Sequence, residues 1–200
     1  MSGQLDSTYG ACLIALFLGS LLYGMGILQT YIYLFHRPAD KPSDKWTVLV
    51  VLALETVKVV FFFLSSYFRF VERFGHIQTE LIWADSLQLL AAYLSTFTVQ
   101  VYFASRIHAL ANWPRSSLFL FGVCLILILA LVQISAGIAQ TVVSYHLGSY
   151  TRLSETTPIT TVQSAASLSC DLLIMVCLCI SLRRRKGERG SCWTGSSPTL

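Results

Sequence analysis

Charge is what this sequence has least of. Charged residues make up 12% of the 200-residue chain, against roughly 25% in a soluble domain, a shortage that excludes an ordinary water-facing surface. Before Tyr9 there is no lysine or arginine, so the positively charged start of a cleavable signal peptide is missing. The single asparagine, Asn112, precedes Trp113 and Pro114 and makes no glycosylation sequon. His36, His76, His108 and His146 fall at the ends of apolar runs or between them, which gives no metal-ligand spacing. Glycine-rich phosphate loops, HExxH, GxSxG and triad sets are all lacking. A membrane enzyme requires such a constellation, so neither catalysis nor a cofactor or metal is expected. Of six cysteines, five lie in apolar runs and Cys192 near the end, which indicates packing residues and no disulfide framework.

What is present is apolar sequence, 54% hydrophobic with a mean hydropathy of +0.64. A bilayer crossing takes about 20 mostly apolar residues, and five runs qualify: about 9–35, 46–68, 81–105, 117–145 and 159–182. The fold class is therefore all-α, a polytopic transmembrane bundle surrounded by lipid, with residues 1–186 as a single domain. Residues 187–200, rich in glycine and serine, are expected to form a disordered cytosolic tail.

Span 1 carries two small-xxx-small pairs, Ala15/Gly19 and Ser20/Gly24. In lipid such pairs let helix backbones approach, so a helix-packing seam is expected, within the bundle or in self-association. Three spans show a polar face. Positions 85, 88, 92, 95 and 96 share one side of span 3. Gln133, Ala136, Gly137, Gln140 and Ser144 form a stripe on span 4, and Thr160, Gln163, Ser164, Ser167, Cys170 and Asp171 lie in one arc of span 5. These faces should turn inward, with Gly137 among the packing residues.

Lysine and arginine set the orientation. Ten lie in the first loop, the third loop and the segment after span 5, the last led by Arg183, Arg184, Arg185 and Lys186. Three lie on the other side, and Lys58 is within a span. By the positive-inside rule the N-terminus is outside and the C-terminus cytosolic. Basic residues at span ends indicate topology, so no nucleic-acid partner is expected.

Within the spans, Glu55 lies about 14 Å and Asp171 about 18 Å deep at 1.5 Å per residue. Lys58 is one turn from Glu55. Each charge at mid-bilayer costs about 2.5–3.5 kcal/mol on insertion scales, so these groups should find partners. The expectation is a buried cluster in which Lys58 is shared between Glu55 and Asp171, either as structural glue or as a site for a ligand, ion or proton. Asp85, Gln100 and Arg106 are secondary candidates, Asp85 as a helix cap or interfacial residue.

Several stretches resemble a family of multi-pass membrane proteins from mushroom-forming fungi, whose C-terminal part is catalogued as domain of unknown function 6534. The similarity begins at Tyr9-Gly10 and is clearest in LYGMGILQTYIYLF of span 1. LALETVKVVF in span 2 places Glu55 at the family's acid, while Lys58 stands where the family usually has histidine. VQVYFASRIHAL is similar to the stretch that places Gln100 and Arg106. ISAGIAQTV and CDLLIMVCLCISLRRRK match spans 4 and 5, with Asp171 at the family's acid. The resemblance covers roughly residues 9 to 186. It implies seven spans in full-length members, so this chain is expected to stop short of the C-terminal domain.

Composition and resemblance together imply a multi-pass membrane protein, receptor-like or sensing in the leading reading. The alternatives are a carrier or channel using the mid-membrane acids, a membrane scaffold, or a truncated family member without function.

Overall fold

The computed structural model describes residues 2–37, 41–72, 82–111, 117–147 and 157–194, with side chains described over 10–37, 41–71, 82–109, 120–146, 157–181 and at 183. Five helices follow one another: α1 (Ser2–His36), α2 (Pro42–Tyr67), α3 (Trp83–Ala111), α4 (Ser117–Leu147) and α5 (Thr157–Thr194). A π-helical turn, Phe68–Glu72, extends α2. All five are long and apolar enough to cross a membrane, over Gly10–His36, Pro42–Val71, Trp83–Ala109, Leu120–His146 and Thr157–Ser181. The chain is an all-α, multi-pass membrane protein.

Helix ends follow proline and carboxylate chemistry. Pro42 opens α2 at a position where its missing N–H costs no hydrogen bond. Asp44 in the same first turn suits the positive end of the helix dipole. At the start of α3 the Asp85 carboxylate accepts the Ile82 N–H at 3.2 Å, the reach-back half of a capping box. At the far end α5 stays helical past Gly187 to Thr194, beyond the end of the apolar run at about residue 182 and into the segment expected to be a disordered tail. Arg183 is exposed, while the side chains of Arg184, Arg185 and Lys186, and residues 195–200 entirely, lie outside the described residues.

The helix at the centre is α3, which packs against α2, α4 and α5, whereas among the described residues α1 touches only α2, and α2 does not meet α5. The apolar core lies among α3, α4 and α5, built from Ala104, Ile107, Val123, Ile126, Ala130, Cys170 and Ile174. Further along the same helices the interior turns polar. The expected stripe on α4 is buried, with Gln133, Gln140 and Ser144 all enclosed. Tyr93 of α3 donates to Gln140 Oε1 at 2.9 Å. A β-carbon on Gly137 would lie 2.6 Å from Tyr93 Cδ2, so Gly137 is the packing residue the sequence suggests.

The seam on α1 is corrected as a contact within the bundle. No atom lies within 4 Å of a β-carbon built on Gly19 or Gly24, Ala15 and Gly24 are exposed, and Ser20 Oγ donates to its own helix at Phe17 O, 2.8 Å away. These residues form no packing seam within the described chain. The reason is that among the described residues α1 has one neighbour, to which it is tied by Cys12 Sγ, 4.0 Å from Ser66 Oγ, and more closely by Tyr23. Thr56 Oγ1 lies 2.7 Å from Leu52 O and 2.7 Å from Tyr23 Oη. With the one Thr56 hydroxyl proton directed to Leu52, Tyr23 is the donor to Thr56.

Candidate functional site

Among the described residues, the ionised side chains Asp85, Arg106, Glu55 and Asp171 each bond across a helix–helix boundary that involves α3, at three levels. At the start of α3, Arg69 Nη2 lies 2.7 Å from Asp85 Oδ1 and 2.8 Å from Oδ2. Ser65 Oγ donates to the same Oδ1. Ser65 and Arg69 are four residues apart and so share a helix face. Asp85 is 8% exposed, hence far more than an interfacial ornament: it caps α3 and anchors the π-helical end of α2. At the opposite end of α3, Arg106 Nη2 reaches Asp44 Oδ2 at 2.9 Å. Its Nε donates to Tyr102 Oη at 3.0 Å, with the guanidinium 5.4 Å from that ring's centre. Arg106 is thus an exposed strap between α3 and the first turn of α2.

The middle level holds the charges of greatest interest, and the structure divides them. Lys58 Nζ pairs with Glu55 Oε2, and Ser95 Oγ donates to Glu55 Oε1 at 3.0 Å. Asp171 is elsewhere. Its Oδ1 accepts Gln100 Nε2 at 3.1 Å on the α5 side of α3, and its side is exposed. The expected sharing of Lys58 between Glu55 and Asp171 is therefore corrected. Both acids are near mid-span, but α3 stands between the two helices that carry them, and depth alone carries no information about direction around the bundle.

The exposed Asp171 gives a testable sign. A carboxylate on a lipid-facing side costs about 2.5–3.5 kcal/mol on insertion scales, and asparagine keeps an acceptor for Gln100. Asp171→Asn is expected to raise the yield of inserted, folded protein, read by fluorescence-detected size exclusion. A fall in yield would mean that a partner's donor satisfies the charge.

The Glu55–Lys58 pair opens onto a cavity of about 790 Å³ between α1, α2 and α3. Leu16, Leu22, Val51, Leu52, Val59 and Phe62 provide much of its wall, and Tyr23, Thr30, Gln88 and Tyr102 contribute polar groups. Gly19, Ser20 and Gly26 also line it. Small residues on α1 therefore leave room beside the pair instead of closing against another helix. Size and chemistry match ligand sites, which run to about 300–1,000 Å³ with mostly apolar walls and few polar groups. Among the described residues no group of three histidine, cysteine, aspartate or glutamate side chains is placed to hold a metal, and all five described cysteines are free.

The sequence singles out Glu55, Lys58, Asp85, Gln100, Arg106 and Asp171, and of their pairings it predicts Glu55 with Lys58 but not Asp171 with Gln100, Asp85 with Arg69 or Arg106 with Asp44. It does not single out Ser65, Arg69 or Tyr23, whereas Ser95 lies on the polar face expected to turn inward and donates to Glu55. Arg69 is one of the three basic residues counted on the outer side. A lone acid opening span 3 and a lone arginine closing span 2 were the available signal, and a pairing across the intervening loop has no spacing rule to reveal it.

No protein-family model matches the sequence, and no match is found among curated proteins or solved structures.

Proposed function

We propose that the protein is a receptor-like membrane protein that takes up a small ligand from within the bilayer, in the cavity between α1, α2 and α3. The observation that carries this is the ion pair Glu55–Lys58 exposed to a largely apolar cavity. An ion pair kept only as structural glue repays its desolvation when further hydrogen bonds satisfy its remaining protons and lone pairs. Here each side chain keeps about a third of its surface free, 34% for Lys58 and 33% for Glu55. A carrier using both mid-membrane acids has less support, since Asp171 does not face this cavity. The similarity of the chain to the fungal multi-pass family belongs to the same proposal and adds architecture, not chemistry.

A headless alkyl diazirine tests the cavity. In reconstituted protein it should label Leu16, Val51 and Phe62 more strongly than exposed residues such as Leu120 or Phe121. Gly26 lines the cavity and has no atom within 4 Å of its β position, so Gly26→Phe should fill the space and suppress labelling at unchanged folded yield. Equal labelling of cavity and outer positions, unaffected by Gly26→Phe, would remove the reading.

A further inference from the structure

We propose that the cavity's ligand is a neutral amphiphile, an alkyl chain bearing one hydrogen-bond-accepting oxygen such as an alcohol or ester carbonyl, with that oxygen held by the Lys58 ammonium. The inference rests on the reading of the α1–α2–α3 cavity as a ligand site and specifies what enters it.

The hydrogen-bonding inventory of the pair selects the head group. Both Glu55 oxygens are engaged, Oε1 by Ser95 and Oε2 by Lys58. An ammonium has three donors, and among the described residues Glu55 is the one acceptor that Lys58 meets. The nearby phenol of Tyr23 directs its proton to Thr56, so it does not compete for the role of donor. Among the residues that line the cavity, Lys58 is the cation, and it has N–H groups to spare, which call for an acceptor.

Charge then narrows the acceptor. Glu55 and Lys58 cancel, so the site is neutral as it stands. An anionic head would leave a net negative charge beside Glu55 in a low-dielectric space, and burying an uncompensated charge is strongly unfavourable. A cationic head would displace or repel Lys58. A neutral oxygen takes the free N–H and leaves the balance intact. The apolar wall formed by Leu16, Leu22, Val51, Leu52, Val59 and Phe62 suits the hydrocarbon remainder.

The experiment uses the full chain in phosphatidylcholine nanodiscs and four diazirine probes. Three share a sixteen-carbon chain and end in an alcohol, a carboxylate or a quaternary ammonium, and the fourth is a diacylglycerol analogue. The alcohol is expected to label cavity residues most strongly. Labelling should fall about tenfold in Lys58→Met, the worth of one hydrogen bond from a charged donor, and persist in Lys58→Arg. Should Lys58→Met fail to fold, the neutral pair Glu55→Gln/Lys58→Met gives the same readout. Labelling by diacylglycerol as well would make the source a membrane lipid, and by the alcohol alone a free amphiphile, both in accord with the proposal. Preference for the carboxylate or ammonium probe would overturn the head-group assignment while leaving the cavity a ligand site. Absence of cavity labelling by every probe would overturn the cavity reading itself. If Ser20→Cys then cross-linked two chains, a second copy's helix would be the occupant.

Discussion

Arg69→Met is expected to destabilise the protein by about 3–5 kcal/mol, the usual cost of removing one partner from a buried ion pair. The side chains of Arg69 and Asp85 are only 19% and 11% exposed, so neither charge can turn to water when the other is lost. The loss does not stop at one contact. Asp85 also caps α3 through the Ile82 N–H and accepts from Ser65, so removing the Arg69 guanidinium from this carboxylate loosens the junction between the π-helical turn and α3. Arg69→Met combined with Asp85→Leu should recover part of the stability, because an apolar pair carries no desolvation penalty, yet not all, because the cap is gone. Thermal unfolding of purified protein in detergent, with both single variants and the double, measures the coupling. Additive losses would mean that the two residues act independently.

Gly137→Val should cost about 2–4 kcal/mol. Its β-carbon would fall 2.6 Å from Tyr93 Cδ2 and 2.7 Å from Cγ, both ring atoms near the backbone that cannot swing aside as a side-chain tip could. Overpacking of this kind costs about 1–3 kcal/mol, and a displaced Tyr93 forfeits its hydrogen bond to Gln140, about 1 kcal/mol more. Gly24→Val is the control: with no atom within 4 Å of its β position, the stability of the chain should not change. Similar losses at both glycines would place a neighbour against α1 that the structure does not have.

These two glycines also show what the sequence could and could not convey. Hydropathy fixes the five spans, since length and apolarity are properties of each helix alone, and the polar stripe on α4 predicts the burial of Gln133, Gln140 and Ser144. Both glycines sit in small-residue patterns, yet Gly137 meets Tyr93 and Gly24 meets nothing. The difference lies in which helix stands opposite, and no periodicity encodes that. The same limit governs the charges. Glu55 and Lys58 are i,i+3 neighbours, so their pairing is local and legible. Asp171 with Gln100, Asp85 with Arg69 and Arg106 with Asp44 are pairings between helices. They depend on how α2, α3 and α5 are arranged, with α3 in the centre.

The division of the mid-membrane acids between two sides of α3 is most directly tested by a pair of double-mutant cycles on Lys58. Lys58→Met leaves Glu55 without its cation, and adding Glu55→Gln should restore stability with a coupling of about 0.5–3 kcal/mol, the range for contacting residues. Adding Asp171→Asn to Lys58→Met should instead give the sum of the two single effects. If Asp171→Asn rescues Lys58→Met and Glu55→Gln does not, Lys58 belongs with Asp171, and the cavity between α1, α2 and α3 loses the charge that defines it.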